Sequence, residues 1–141
     1  MREFTGPDVH TQRISTIVLY VLPIQTTSKH LALTYYVLCI TTAPESSPTE
    51  ITFDNGNPYN ISVEWRPPRV PNGVITHYTL YVGFEDGSVD VFYVNGESTS
   101  YNITNLQPYQ IISVEISAST SVGEGPRSYK MEVQTAQAGK I

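Results

Sequence analysis

The chain has 141 residues, 40% hydrophobic and 15% charged, with a formal net charge of −5. That composition supports a packed core and excludes wholesale disorder. Eight basic residues against 13 acidic ones, with no Lys/Arg cluster, argue against nucleic acid and anionic membrane as partners. One cysteine, Cys39, excludes an intrachain disulfide and leaves the redox compartment open. Val, Ile, Thr and Tyr crowd the segments between turn residues, and no segment holds the apolar spacing of an amphipathic helix, so strands are predicted throughout.

In chain order, residues 1–43 come first and contain two apolar runs, ISTIVLYVLPI (14–24) and LALTYYVLCI (31–40). Neither reaches the ~18–20 residues that span a bilayer, so no direct membrane insertion is predicted for this stretch. Three readings stand side by side. The stretch is the remnant of a preceding repeat, with 34–42 as its last strand running into a linker. It is a signal peptide with 14–24 as the apolar region, although Glu3 and Asp8 lead it and no small-x-small cleavage site follows. Or it is unrelated sequence with no evolved structure.

Character changes at APESSP (43–48), where Pro, Ser and Glu read as a linker. The chain therefore divides into a leading segment 1–43, a domain 44–137 and a tail 138–141. A short first strand is predicted at Ile51 and Phe53, followed by a turn at Asn55-Gly56-Asn57-Pro58. In the next strand Ile61, Val63 and Trp65 share one face, and Asn60, Ser62 and Glu64 the other. It must stop at Trp65, because Pro67 and Pro68 donate nothing to a ladder. After Pro71-Asn72-Gly73, Tyr78, Leu80 and Val82 point inward and Thr79 and Tyr81 outward. Asp86-Gly87 favours a hairpin, so 89–94 pairs back, and Asn95-Gly96 turns again. Tyr101 and Ile103 point in with Asn102 out, and Leu106 plugs a corner. Ile112, Val114, Ile116 and Ala118 alternate with polar residues, and Tyr129, Met131 and Val133 line a last strand. Seven short half-buried strands with frequent turns predict an all-β, immunoglobulin-like antiparallel sandwich.

These residues resemble a fibronectin type III repeat over 44–137. The likeness rests on Trp65 with Pro67-Pro68, on PNGVITHYTLYV (71–82), on Leu106-Gln107-Pro108 and on SVEISASTSVGEGPRS (113–128). Within the family the wording is similar to repeats in the ectodomains of receptor-type tyrosine phosphatases, particularly the receptor phosphatase Q kind. Two departures stand out. The family places a tyrosine six residues after the leucine of the LxP turn, where this chain has Ile112, so a corner hydrogen bond worth ~1 kcal/mol is lost and a looser corner is expected. The loop TSVGEGP (120–126) lacks Arg-Gly-Asp, so the integrin contact of some members is not implied.

For function, no catalytic, cofactor or metal residues converge in the sequence. His10, His30 and His77 lack metal-ligand spacing, and His77 reads as a surface strand residue. Cys39 lies in an apolar run without the arginine and amide cradle of a phosphatase nucleophile, and reads as a small buried residue. Glu85, Asp86 and Asp90 do not match an EF-hand loop and read as a solvated hairpin tip. No enzyme is predicted and no cofactor. Two sequons, Asn60-Ile61-Ser62 and Asn102-Ile103-Thr104, place candidate glycosylation sites at Asn60 and Asn102 and favour an extracellular home. Tyr81 beside Phe92 or Tyr93, with Gly123 and Glu124, forms the candidate protein-binding surface. The predicted function is a non-catalytic extracellular binding or spacer module of a multi-repeat cell-surface receptor or adhesion protein. Its partners would be neighbouring repeats or extracellular protein ligands. The alternatives are an ectodomain piece of a receptor-type tyrosine or phosphoinositide phosphatase, whose catalytic domain lies elsewhere, and an intracellular structural repeat.

Overall fold

The computed structural model describes residues 16–23 and 34–139, with backbone alone for 16–23 and 34–40. His10, His30 and the leading acidic residues Glu3 and Asp8 lie outside the described residues, and for Cys39 only the backbone is described. β1 (Thr16–Pro23) and β2 (Thr34–Thr41) pair antiparallel as a separate two-stranded sheet. Seven strands follow: β3 (Thr49–Asp54), β4 (Ile61–Arg66), β5 (His77–Phe84), β6 (Val89–Asn95), β7 (Ser100–Ile103), β8 (Ile111–Ser119) and β9 (Met131–Gln134).

They form two antiparallel sheets, ordered β3-β4-β7 and β6-β5-β8-β9. The alternation read from the sequence sets their inner faces. Ile61, Val63, Trp65 and Ile103 of the first sheet meet Tyr78, Leu80, Val82, Ile112, Val114, Ile116 and Ala118 of the second, all buried. The edges of Trp65 and Tyr78 meet with ring centroids 5.3 Å apart. The indole N–H and the phenol are both buried and neither has a hydrogen-bond partner among the described residues. Burial pushes the Tyr78 phenol above its ordinary range, and the nearby indole offsets only part of that rise.

Turn chemistry acts where it was read. Gly87 has φ 86°, Ser88 N–H donates to Asp86 Oδ1 at 2.8 Å within the turn, and Phe84 N–H donating to Ser88 O at 2.9 Å closes the β5–β6 hairpin. The hydroxyl and amide of Ser88 on that carboxylate hold Asp86 below the usual carboxylate range. Asn95 Oδ1 accepts from Glu97 N–H at 2.9 Å in the next turn.

Three local expectations are corrected. β4 runs one residue further, to Arg66, because the ladder is lost only at Pro67. Tyr129 precedes β9 and is 93% exposed, because the ladder beside β8 is there replaced by Ser128, whose N–H donates to Ile116 O and whose hydroxyl accepts from Ile116 N–H. The corner without its tyrosine is tied by other groups. Gln107 N–H donates to Gln110 Oε1 at 2.7 Å, Gln110 N–H donates to Thr135 Oγ1 at 2.8 Å, and the Thr135 hydroxyl donates to Gln107 O at 2.6 Å.

Candidate protein-binding surface

The outward residues of β5 are His77, Thr79 and Tyr81, and register sets Tyr93 of β6 opposite Thr79 and Val91 opposite Tyr81. On the other flank, Ser119 and Ser117 of β8 stand opposite His77 and Thr79. Strand alternation alone would leave all of these in water. Instead Thr79, Ser117 and Ser119 are buried.

Thr79 lies between Tyr93 and Ser117 on the central strand, and for Ser117 and Ser119 the cover is the loop after β8. Thr120 N–H donates to Gly123 O at 3.0 Å, and Gly125 N–H donates to Ala118 O at 2.8 Å, so residues 120–125 fold back beside the strand they leave. A bridge between Ser119 and Glu124 completes the return. That delivers the Glu124 carboxylate over the sheet. Its Oε1 accepts from the Tyr81 hydroxyl at 2.6 Å and from the Ser117 hydroxyl. Burial raises the Tyr81 phenol above its ordinary range, and the Glu124 carboxylate adds to the rise, with Arg127 opposing it. The Arg127 guanidinium covers the Tyr81 ring at 3.5 Å from its centroid and reaches Glu115 at 3.7 Å. Tyr93 stands edge-on to His77 with ring centroids 5.8 Å apart, and is 72% exposed.

The result is an open groove of about 310 Å³ between the loop and the sheet, lined by His77, Thr79, Tyr81, Tyr93, Ser119 and residues 120–124. Four of the five surface residues read from the sequence, Tyr81, Tyr93, Gly123 and Glu124, line it together. Phe92 does not. It pairs with Leu80 on the inner face and packs against Tyr101, ring centroids 5.1 Å apart, since neighbouring residues of a strand face opposite ways. His77, read as an ordinary strand residue, is a groove wall. The buried hydroxyls beneath the loop were also missed; the only trace in the sequence is the run of small residues at 117–123.

Chemically the groove is hydroxyl-rich and aromatic, with one carboxylate already engaged in holding its own wall. Ligand pockets for small molecules are deeper and mostly apolar. This shape and lining suit a few side chains of another protein. Among the described residues no three His, Cys, Asp or Glu side chains gather as a metal site.

The sequons lie on the opposite sheet. Asn102 is exposed on β7, and Asn60 is half-buried just ahead of β4 rather than on it. Ile61 pairs with Ile103, and the Ser62 hydroxyl donates to Asn102 Oδ1 at 3.3 Å, so the two triplets run antiparallel side by side.

Comparison with known proteins accords with this architecture. The chain is 36% identical over 96 residues to Phosphatidylinositol phosphatase PTPRQ of Rattus norvegicus and of Homo sapiens, covering 68% of this chain and 4% of each relative. It is 38% identical over 82 residues to Ephrin type-B receptor 5 of Gallus gallus, covering 57% of this chain and 8% of the relative. The chain thus spans only a small part of these relatives. Its fold is similar to the crystal structure of chicken CNTN1 FN1-FN3 domains, with a TM-score of 0.62 at 22% identity over 74% of this chain and 36% of that one. The family model for the fibronectin type III domain matches residues 46–134, and the chain belongs to that family.

Proposed function

We propose that this chain is a non-catalytic extracellular module of a multi-repeat cell-surface receptor or adhesion protein, spacing its neighbours and contacting a protein partner through the groove beside Glu124. The observation that carries the reading is the groove itself. A fibronectin type III domain is a non-catalytic fold, and here a returning loop walls one sheet face into a hydroxyl-rich, aromatic concavity. Exposed tyrosine in a preformed polar frame is the chemistry of protein contact. The extracellular placement draws on the paired sequons and on similarity to a receptor. Glycans at Asn60 or Asn102 would extend from the three-stranded sheet and leave the groove face open.

Mass spectrometry of the chain secreted from animal cells tests the compartment. Glycan at one or both asparagines is expected, and two unmodified sites would overturn the extracellular placement. A second reading, a piece of a phosphatase ectodomain whose catalytic domain lies elsewhere, draws on the PTPRQ similarity. Sequencing of the transcript on both sides decides it: a downstream membrane span and phosphatase domain support it, and their absence removes it.

A further inference from the structure

The loops at the pole where the chain enters the sandwich face a segment of their own chain. Thr42 N–H donates to Asn72 O at 3.2 Å, and Glu45 N–H donates to Val70 O at 3.1 Å. Val70 N–H donates to Ser46 Oγ at 3.0 Å, and Asn72 Nδ2 donates to Ala43 O at 3.3 Å. Residues 42–46 therefore lie along the β4–β5 loop much as an added strand would. The other flank is closed by the β8–β9 loop, where the Thr120 hydroxyl donates to Thr42 O at 2.8 Å. Pro44 is buried, and it sits so near Gly125 that a Cβ there would lie 2.8 Å from both Pro44 Cβ and Pro44 O. A Cβ on Gly73 would likewise lie 2.8 Å from Thr41 Cγ2. Glycine at both loops is what lets the incoming chain come so close.

A stretch read from its composition as a linker is thus held from two sides. Flexible linkers are solvated and touch little. This one places its polar backbone groups on the β4–β5 and β8–β9 loops.

We propose that the pole formed by residues 70–73 and 120–125 is a socket for the chain that enters the domain. It joins this repeat stiffly to the segment of the same chain that ends in β2, so that the flank of these two loops facing residues 42–46 is taken by the chain itself. The partner of this surface is the upstream part of the chain. The β1–β2 hairpin supports that choice: a two-stranded sheet is marginal alone, and its strands read TIVLYVLP and TYYVLCIT, apolar in both phases of the alternation. Such strands need cover on both faces, which a hairpin does not supply for itself. The inference concerns the other flank of the loop that walls the groove, and its failure would leave the groove reading intact.

Backbone ¹⁵N relaxation of the full chain tests it. The amides of Thr42, Ala43, Glu45 and Ser46 are expected at order parameters of about 0.85, like those of β5; values below about 0.6 would overturn the proposal. Thr120→Val combined with Gly125→Ala should lower the values at Thr42 and Ala43 while the β5 and β8 amides keep their dispersion. Thr120→Ser alone, which retains the hydroxyl, should leave them high. Unchanged values in the double variant would also overturn it. Should the double variant fail to fold, Thr120→Val against Thr120→Ser gives the same contrast, and equal order parameters in the two would count against the socket.

Discussion

The two outer faces of the sandwich obey the same strand alternation and end up different. On the three-stranded face, Ser62, Glu64 and Asn102 point outward and none is buried. On the four-stranded face, Thr79, Ser117 and Ser119 have the same outward phase and are buried. At Ser117 and Ser119 a returning loop makes the difference. Glu124 reaches from it to Tyr81 and Ser117, and what would have been a flat, wetted sheet becomes a walled groove. Alternation assigns a side chain to a face, but whether that face meets water depends on what the loops do. The same loop serves a second surface, since Thr120 on its other flank holds the incoming chain.

The largest disturbance is one that abolishes both faces together. Trp65 lies in the core between the sheets and is 3% exposed. Trp65→Ala should cost ~3–5 kcal/mol in urea-induced unfolding, through lost burial and the cavity left behind. A loss under about 1 kcal/mol would mean that the two sheets do not depend on this contact.

The comparison between faces is sharpest at two glutamates. Glu124→Ala strips the acceptor from the buried Ser117 hydroxyl and from Tyr81, and should cost ~1–3 kcal/mol. Glu64→Ala on the exposed opposite face should stay within about 0.5 kcal/mol. Equal costs for the two would show that the loop does not cover its sheet in solution.

Removing residues 1–43 should be milder. It takes away the Thr42 carbonyl that accepts from Thr120, the Thr42 N–H that donates to Asn72 O and the Ala43 carbonyl that accepts from Asn72, a loss of about 1–2 kcal/mol in all because water replaces these partly exposed bonds, and leaves all seven strands of the sandwich. Residues 44–141 should still melt cooperatively in calorimetry. A broad, non-cooperative transition would make the leading segment part of the core and would remove the division at the linker.

The smallest effect is alkaline. Tyr78 and Tyr81 both hold their protons more tightly in the folded chain than their ordinary value of 10.0, Tyr78 through burial and Tyr81 through burial and the Glu124 carboxylate. Their contribution is fully present below pH 10 and declines as pH rises through the folded values, because there the unfolded chain binds fewer protons. Stability measured above pH 10 should therefore fall, and Tyr81→Phe should make the fall shallower. An unchanged slope would show that the face bearing Glu124 does not hold that phenol.

Much of the fold is legible in the sequence, for a physical reason. Whether a side chain points into the core or away follows from the pleat, a property of adjacent residues, so Trp65, Tyr78, Leu80, Val114, Ile116 and Ala118 could be placed from spacing alone. The turns at Asn72-Gly73, Asp86-Gly87 and Asn95-Gly96 were equally local. Phe92 against Tyr93 was not, because the choice needed the β5–β6 register, which a hairpin of several loop residues leaves open. The missing corner tyrosine misled for a related reason: Gln110 and Thr135 are 25 residues apart and meet only once β8 and β9 are paired. The groove and the socket lie furthest from sequence reasoning. Both depend on where residues 120–125 come to rest, with Glu124 over Tyr81 43 residues away and Thr120 against Thr42 78 residues away. The sequence by itself determined the strands, their inner faces and the family; the tertiary structure alone decided which outer face is walled and which loops are covered. Strand character is encoded by neighbours along the chain, whereas a loop's resting place is set by contacts that exist only after the sheets have formed.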